Sequence, residues 1–469
     1  MENLYEYEEE FRDSIATVDE RGKRIWVFPK KPKGKFTNAR TLVAIILLVL
    51  LFSGPFIKIG GQPLLLFNIF ERQFVIFGVA FWPQDFYLLG LATITLFVFI
   101  ILFTVVFGRV WCGWACPQTV FMETVFRRIE YWLEGDAHQQ RKLEKAPWTT
   151  DKLLKKGFKH ILFILISVLI AHTLMAYLIG ADQVMEIVTS SPYDHWGGFI
   201  ATVFFSIIFY WVFSSFREQA CIAVCPYGRL QGVLLNKDSM AVSYDFVRGE
   251  PRGKLHKGEV AEGQGDCIDC KLCVHACPTG IDIRNGTQLE CINCTACMDA
   301  CDEVMLKVDK PQGLIRISSH NSIVEGKKSI FTTRVLAYMV VLMALVVTVT
   351  SLMLNRSDID ATVLRVPGQL YQKTEDGKIQ NLFNVLFINK TFESTTVQIR
   401  LKDHPGGEIT IVGGELMELS ANSTKEHVLF VNLPPEELQG AKTPIVFEII
   451  QNGVVIETSS TNFLGPFNF

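Results

Sequence analysis

The chain has 469 residues, 49% of them hydrophobic and 12% aromatic, with a formal net charge of -3 and a mean hydropathy of +0.26. Such a balance excludes an ordinary soluble enzyme, and the lack of basic excess gives no reason to expect a nucleic-acid partner. The apolar residues fall in five runs without Asp, Glu, Lys or Arg, at 41–57, 86–107, 161–179, 196–213 and 335–354. Each is near the length that crosses a bilayer.

Residues 1–40 read as a polar tail, acidic from Glu6 to Glu10 and basic at Lys30, Lys31, Lys33 and Lys35. The first apolar run starts too late for a signal peptide and is read as a retained helix. Nine Lys and Arg precede it and ten lie in 108–160, whereas 181–195 has none. The positive-inside rule then places the N-terminus, 108–160 and 216–334 in the cytoplasm and 355–469 outside. All twelve cysteines fall on the cytoplasmic side of that topology, where a reducing compartment suits thiolate ligands. The expected division is a tail at 1–40, membrane hairpins at 41–107 and 161–215, cytoplasmic segments at 108–160 and 216–334, a last span at 335–354 and an outer domain at 355–469. Between the first two spans, 64–82 is apolar but interrupted by Glu71, Arg72 and Gln73, and is expected to be an interfacial or re-entrant element.

The second span leads into Cys112-x3-Cys116-Pro117 and the fourth into Cys221-x3-Cys225-Pro226. Hairpin and motif recur together, which marks an internal duplication. On a helix, positions i and i+4 share a face, so each pair presents two sulfurs one turn apart. Two pairs could form a third iron-sulfur cluster or a pair of redox-cycling dithiols; the plainer alternative is buried structural cysteine. Between the hairpins, Met122, Phe126, Ile129 and Leu133 fall at helical spacing with Arg127, Arg128, Glu130 and Glu134 elsewhere, the pattern of an amphipathic helix on the inner leaflet. His172 lies inside the third span and is a haem-ligand or proton-relay candidate, with packing against a neighbouring helix the simpler reading.

The densest signal is Cys267-x2-Cys270-x2-Cys273-x3-Cys277-Pro278 followed by Cys291-x2-Cys294-x2-Cys297-x3-Cys301, the bacterial ferredoxin run written twice. Three thiolates of each tight loop hold one cluster and the fourth comes from the other run. Cys267, Cys270, Cys273 and Cys301 are expected to hold one 4Fe-4S cluster, and Cys291, Cys294, Cys297 and Cys277 the other. Ile268, Leu272, Val274, Ile292 and Met298 are expected to wall them from water. Eight cysteines could also fill two zinc sites, but zinc seldom takes four in so close a run. Asp302 replaces the proline that follows the first run. This ferredoxin-like α+β module is centred on about 260–310, with 236–266 as a lead-in loop.

After the fifth span the pattern turns to short alternation, at 396–401, 382–388, 409–412, 427–433 and 445–450, with Asn452-Gly453 as a hairpin turn. Six or seven strands point to an all-β immunoglobulin-like sandwich. Met417, His404 and His427 are its only soft or borderline ligands, too few for a copper store, so it is read as a docking module.

The twin ferredoxin runs, the two Cys-x3-Cys-Pro motifs, five spans and the C-terminal β domain together resemble the cytochrome c oxidase accessory proteins of the CcoG/FixG/RdxA kind. The resemblance spans nearly the whole chain. It implies a bacterial inner-membrane protein that helps assemble a cbb3-type oxidase as a cupric reductase, taking electrons from an unidentified cytoplasmic donor and supplying Cu(I). Cys112, Cys116, Cys221 and Cys225 would then be the catalytic, copper-facing set. Copper, oxidase subunits or copper-delivery proteins would be its partners, with homodimerisation left open. The alternatives are a quinol-linked membrane ferredoxin and a redox-sensing assembly scaffold without turnover.

Overall fold

The computed structural model describes residues 17–18, 21, 23–59, 62–70, 73–254, 263–326, 331–368, 370–412 and 417–466. The acidic run of the N-terminal tail, Glu71, Arg72, Lys327 and Lys328 lie outside them. Five helices among the described residues are long and apolar enough to cross a membrane. They are α1 (Lys35–Ser53), α2 (Phe86–Phe107), α3 (Thr150–Ile179), α4 (Trp196–Trp211) and α5 (Thr333–Leu354). The chain forms two units, one of residues up to Gly54 with Ala92–Val346, the other of Pro55–Leu91 with Val347–Phe469.

In the first unit the start of α1 is held by a side chain far along the sequence. Asp299 accepts from the Phe36 and Thr37 amides (3.1 and 2.7 Å) and from the Thr37 hydroxyl (2.6 Å), satisfying donors that a helix start leaves open. The apolar faces of α1, α3 and α4 meet around Phe126, Phe163 and Phe213, where Phe126 stacks on Phe213 with centroids 4.4 Å apart.

Phe121–Phe126 and Arg127–Leu133 do form helix, the first as a widened π turn, yet not as a leaflet helix with its charges in water. Arg127, Glu130 and Glu134 are buried. Arg127 meets Glu123 (2.8 Å), Arg217 meets Glu130 through both nitrogens (3.0 and 2.9 Å), Lys159 meets Glu134 (2.8 Å) and Arg24 meets Glu218 (2.6 Å). Burial pushes the Glu130 carboxyl up, but Arg217, Lys159 and Arg127 more than offset this and hold it below the usual carboxylate value. The polar stripe of this helix, Arg127, Glu130 and Glu134, faces protein and is matched by charge from α3 and from the segment that follows α4.

In the second unit, 64–82 is neither re-entrant nor helical. It is an antiparallel meander of β1 (Leu65–Asn68), β2 (Gln73–Ile76) and β3 (Val79–Phe81), turned by Phe77 and Gly78 at positive φ. Two-residue turns of that conformation match strand twist, and Val75 and Ala80 supply the buried face.

The lead-in to the ferredoxin module is more than a loop. Strand β4 (Ala241–Tyr244) pairs with β5 (Ile315–Ser318), bracketing both cysteine runs.

The sandwich follows, with β6 (Ile359–Arg365), β7 (Gln372–Lys373), β8 (Ile379–Asn389), β9 (Thr395–Leu401), β10 (Glu408–Ile411), β11 (Met417–Leu419), β12 (Ser423–Leu433), β13 (Lys442–Gln451) and β14 (Val454–Leu464). One sheet runs β10-β12-β8-β6 with β7 on β8, and the other β11-β9-β13-β14. Phe383, Val385, Phe387, Leu429, Val431, Ile445 and Phe447 interdigitate between them, all fully buried. Asn452 and Gly453 turn β13 into β14 with positive φ. Within this unit the buried carboxylate of Asp85, just before α2, pairs with Arg356, just past α5, and with Lys390, between β8 and β9, at 2.8 Å each.

Candidate redox centres

Each ferredoxin run is bent by the same two backbone positions. Asp269 and Lys271 have φ 49 and 57°, and Asn293 and Thr295, their counterparts in the second run, φ 53 and 64°. Left-handed single residues turn successive side chains towards a common centre, and Asp and Asn adopt that conformation at low cost. Short helices then carry the third cysteine of each run inward, Leu272–His275 for Cys273 and Ala296–Lys307 for Cys297 and Cys301.

Asp302 accounts for the departure from the repeat. The second helix continues past Cys301 to Lys307, which a proline at 302 would interrupt, and the Asp302 carboxylate accepts from the Gly313 amide (2.8 Å).

Two small cavities result, of about 20 Å3 each. One is lined by Cys267, Cys270, Cys273 and Cys301, with Ile268, Met305, Leu314 and Ile315. The other is lined by Cys277, Cys291, Cys294 and Cys297, with Val242, Ile281, Ile283 and Ile292, and Cys273 borders it as well. The two runs therefore exchange one cysteine each. Of the apolar wall expected from sequence, Ile268 and Ile292 line the cavities, while Leu272, Val274 and Met298 pack in the surrounding core. The rest of the lining comes from β4, β5 and the stretch after Cys277, segments that carry no cysteine spacing to announce them.

The residues fit 4Fe-4S clusters: four sulfurs per cavity, apolar walls and a buried cation, Arg284, beside the first. Burial pushes the thiols of Cys273, Cys291 and Cys301 up to about 12, so ligation there releases protons.

The two Cys-x3-Cys-Pro motifs share a backbone pattern. A residue at positive φ precedes each first cysteine by four positions, Gly108 at 60° and Arg217 at 51°. Each second cysteine donates its amide five residues back, Cys116 to Trp111 and Cys225 to Ala220, both at 2.9 Å. Each then caps a helix whose first residue is the proline. The four thiols share one neighbourhood: Cys112 lies within electrostatic reach of Cys116 and Cys225, and Cys221 of the other three. Burial raises Cys112 and Cys116 and pushes Cys221 up to about 12. All twelve cysteines are free of disulfides.

This quartet adjoins the second cavity. Cys112 packs with Ile292, Cys294 and Ala296. Gly113 is there because nothing larger fits: a Cβ would lie 2.4 Å from the Ile292 carbonyl oxygen and 2.9 Å from the Asn293 carbonyl carbon. Cys112 donates to Gln231 Oε1 (3.2 Å), which also accepts from Arg109 Nε (2.8 Å). Gln231 carries no signal in the sequence; Arg109 stands three residues before Cys112 and could have been noticed there. His172 bonds the Val168 carbonyl of its own helix (2.8 Å), and His160 bonds Tyr210 (3.1 Å).

Five apolar helices, a twin-run cysteine module and an immunoglobulin-like sandwich define a membrane-bound 4Fe-4S electron-transfer protein. Family models agree: a 4Fe-4S dicluster domain matches 216–320, a 4Fe-4S binding domain 89–136, and the IG-like fold at the C-terminus of FixG 349–466. The chain is 35% identical to Protein RdxB of Cereibacter sphaeroides over 84% of this chain and 88% of that one, and 32% identical to Protein RdxA of the same organism over 87% and 89%. It is 30% identical to nitrogen fixation protein FixG of Rhizobium meliloti over 83% and 82%. The chain belongs to this FixG/RdxA family.

Proposed function

We propose that the protein is a cupric reductase of the cytoplasmic membrane, taking electrons on the cytoplasmic face and delivering Cu(I) for assembly of a cbb3-type oxidase. The observation that carries the reading is the contact of the Cys112/Cys116/Cys221/Cys225 quartet with the loop of the second cysteine cavity. When bound, 4Fe-4S clusters supply one-electron transfer at potentials that can reach roughly -400 mV, well below what reduction of Cu(II) requires. In this reading Cys267, Cys270, Cys273 and Cys301 hold one cluster and Cys277, Cys291, Cys294 and Cys297 the other. Thiolates of the quartet take copper as substrate, and their softness favours Cu(I) over Cu(II). Ile292 and the Gly113 contact keep water from the space between. The tail, the cysteine module and both Cys-x3-Cys-Pro motifs face the cytoplasm and the sandwich faces the periplasm, where an oxidase subunit or a copper-delivery protein would dock.

A second reading puts a third 4Fe-4S cluster in the quartet. Its support is that the two 4Fe-4S family matches each include one of the motifs.

One experiment separates them. Protein purified anaerobically in detergent is analysed for iron, sulfide and copper, reduced with dithionite, desalted and mixed with Cu(II). About eight irons per chain and rapid Cu(I) formation support the reductase; about twelve place a cluster in the quartet. Replacing all four quartet cysteines by serine is expected to abolish rapid Cu(I) formation while about eight irons remain. Unchanged Cu(I) formation in that variant would remove copper from this site.

A further inference from the structure

One cavity of the first unit belongs to neither cysteine set. It encloses about 610 Å3, within the roughly 300–1,000 Å3 typical of small-molecule sites. Three segments that carry cysteines elsewhere build its wall. Thr287 to Glu290 run directly into Cys291, Gly232 and Leu235 follow the helix capped by Cys225, and Arg109 precedes Cys112. A molecule held there touches the supports of both the second cavity and the quartet.

Its charge is uncompensated. Arg109, Lys237 and His320 line it against a single carboxylate, Glu290. Elsewhere in this unit the buried arginines Arg127, Arg217 and Arg284 each pair with a carboxylate, while Arg40 bonds the Cys294 carbonyl. Arg109, 3% exposed, bonds the Gln231 side chain and the Leu289 carbonyl and lies beside the Cys112 thiol, and no carboxylate reaches it among the described residues. The Nδ1 of His320 is buried without a hydrogen-bond partner. A guanidinium without a carboxylate partner, an exposed lysine ammonium and an unsatisfied imidazole lining one cavity are donors of the kind that bind a phosphate.

The rest of the wall suits a flat ring. Leu289 leaves 62% of its surface open beside Leu235, and Gly232 makes room for it, since a Cβ there would lie 2.0 Å from Leu289 Cδ2.

We infer that this cavity binds a phosphorylated flavin of mononucleotide size, with its phosphate on Lys237, His320 and Arg109 and its ring between Leu235 and Leu289. The inference rests on the electron-transfer character of the protein and would give it a site for a two-electron carrier beside its one-electron centres. Copper reduction by dithionite does not depend on it, so the two readings can fail separately.

The test is equilibrium binding of flavin mononucleotide to the full chain in detergent, followed by quenching of flavin fluorescence. Expected are one site per chain, at least about tenfold weaker binding of riboflavin, which lacks the phosphate, and a similar loss in Lys237→Glu with iron content unchanged. His320→Gln, which keeps a neutral donor, should retain more affinity than Lys237→Glu. Equal affinity for riboflavin, displacement by inorganic phosphate as effective as by the nucleotide, displacement by decylubiquinone, or no binding would each overturn it.

Discussion

Beside the first Cys-x3-Cys-Pro arm stands Arg109, whose partners are an amide side chain and a backbone carbonyl. In the second arm Arg217 makes a two-nitrogen ion pair with Glu130, with Glu218 and Lys159 close by. The backbones share the residue at positive φ and the amide that reaches five residues back, although 110–114 is an α turn and 220–224 a wider π turn. The surroundings differ. The first arm is pressed on the ferredoxin loop through Gly113, while the second is anchored by charge to α3 and to the 121–133 helices. Duplication supplied a symmetric holder for four sulfurs, and divergence made one arm the electrical neighbour of the cysteine module and the other its mechanical anchor.

The largest expected effect breaks the anchor. Arg217→Met leaves the buried Glu130 carboxylate with only the longer Lys159 contact at 3.7 Å and should cost about 3–5 kcal/mol, seen as early thermal unfolding in detergent. Arg109→Met abandons only uncharged partners and should cost less, about 1.5–3 kcal/mol; equal losses would erase the distinction between the arms. Next is Gly113→Val, whose side chain meets the Ile292 and Asn293 backbone; about 1–3 kcal/mol of overpacking and a fall in iron from about eight to about four per chain are expected. Gly228→Val, which meets the Cys221 carbonyl and Arg109 instead, should keep the iron of the ferredoxin module. The smallest effect is chemical. In metal-free protein at pH 8, burial keeps Cys221 protonated, because its pKa is pushed up to about 12. Only the thiolate is nucleophilic, so alkylation of Cys221 by iodoacetamide, read by mass spectrometry, should rise about tenfold per pH unit and level off only near pH 12. A plateau near pH 9 would mean that the site is wetter than its packing indicates.

Features whose cause is local were readable in advance. Cysteine spacing anticipated which cysteines line each cavity, uninterrupted apolar runs gave the five helices, and Asn452-Gly453 gave its turn. What escaped depends on distant partners. Arg127 and Glu130 carry helical periodicity that looks like a wet face, and only the arrival of Arg217 and Lys159 makes them interior. Strand β6 alternates Ile359, Ala361 and Val363 inward, but Asp358 and Asp360 mask the pattern. Likewise the meander at 65–81 hides behind an apolar content that suggests membrane. The cavity around Arg109 and Lys237 is assembled from segments more than a hundred residues apart, and no window of sequence contains it.

Asp85 gives the cell a way to recognise a misthreaded chain. It is synthesised 271 residues before Arg356 and 305 before Lys390, yet it needs both to be neutralised where it is buried. Those partners reach it only if the last span is threaded so that its end emerges on the same side as the start of α2. A chain with α5 reversed leaves an aspartate without its cations, a penalty of several kcal/mol in an otherwise dry setting. An error of membrane insertion is thereby converted into a local instability that quality-control proteases can detect.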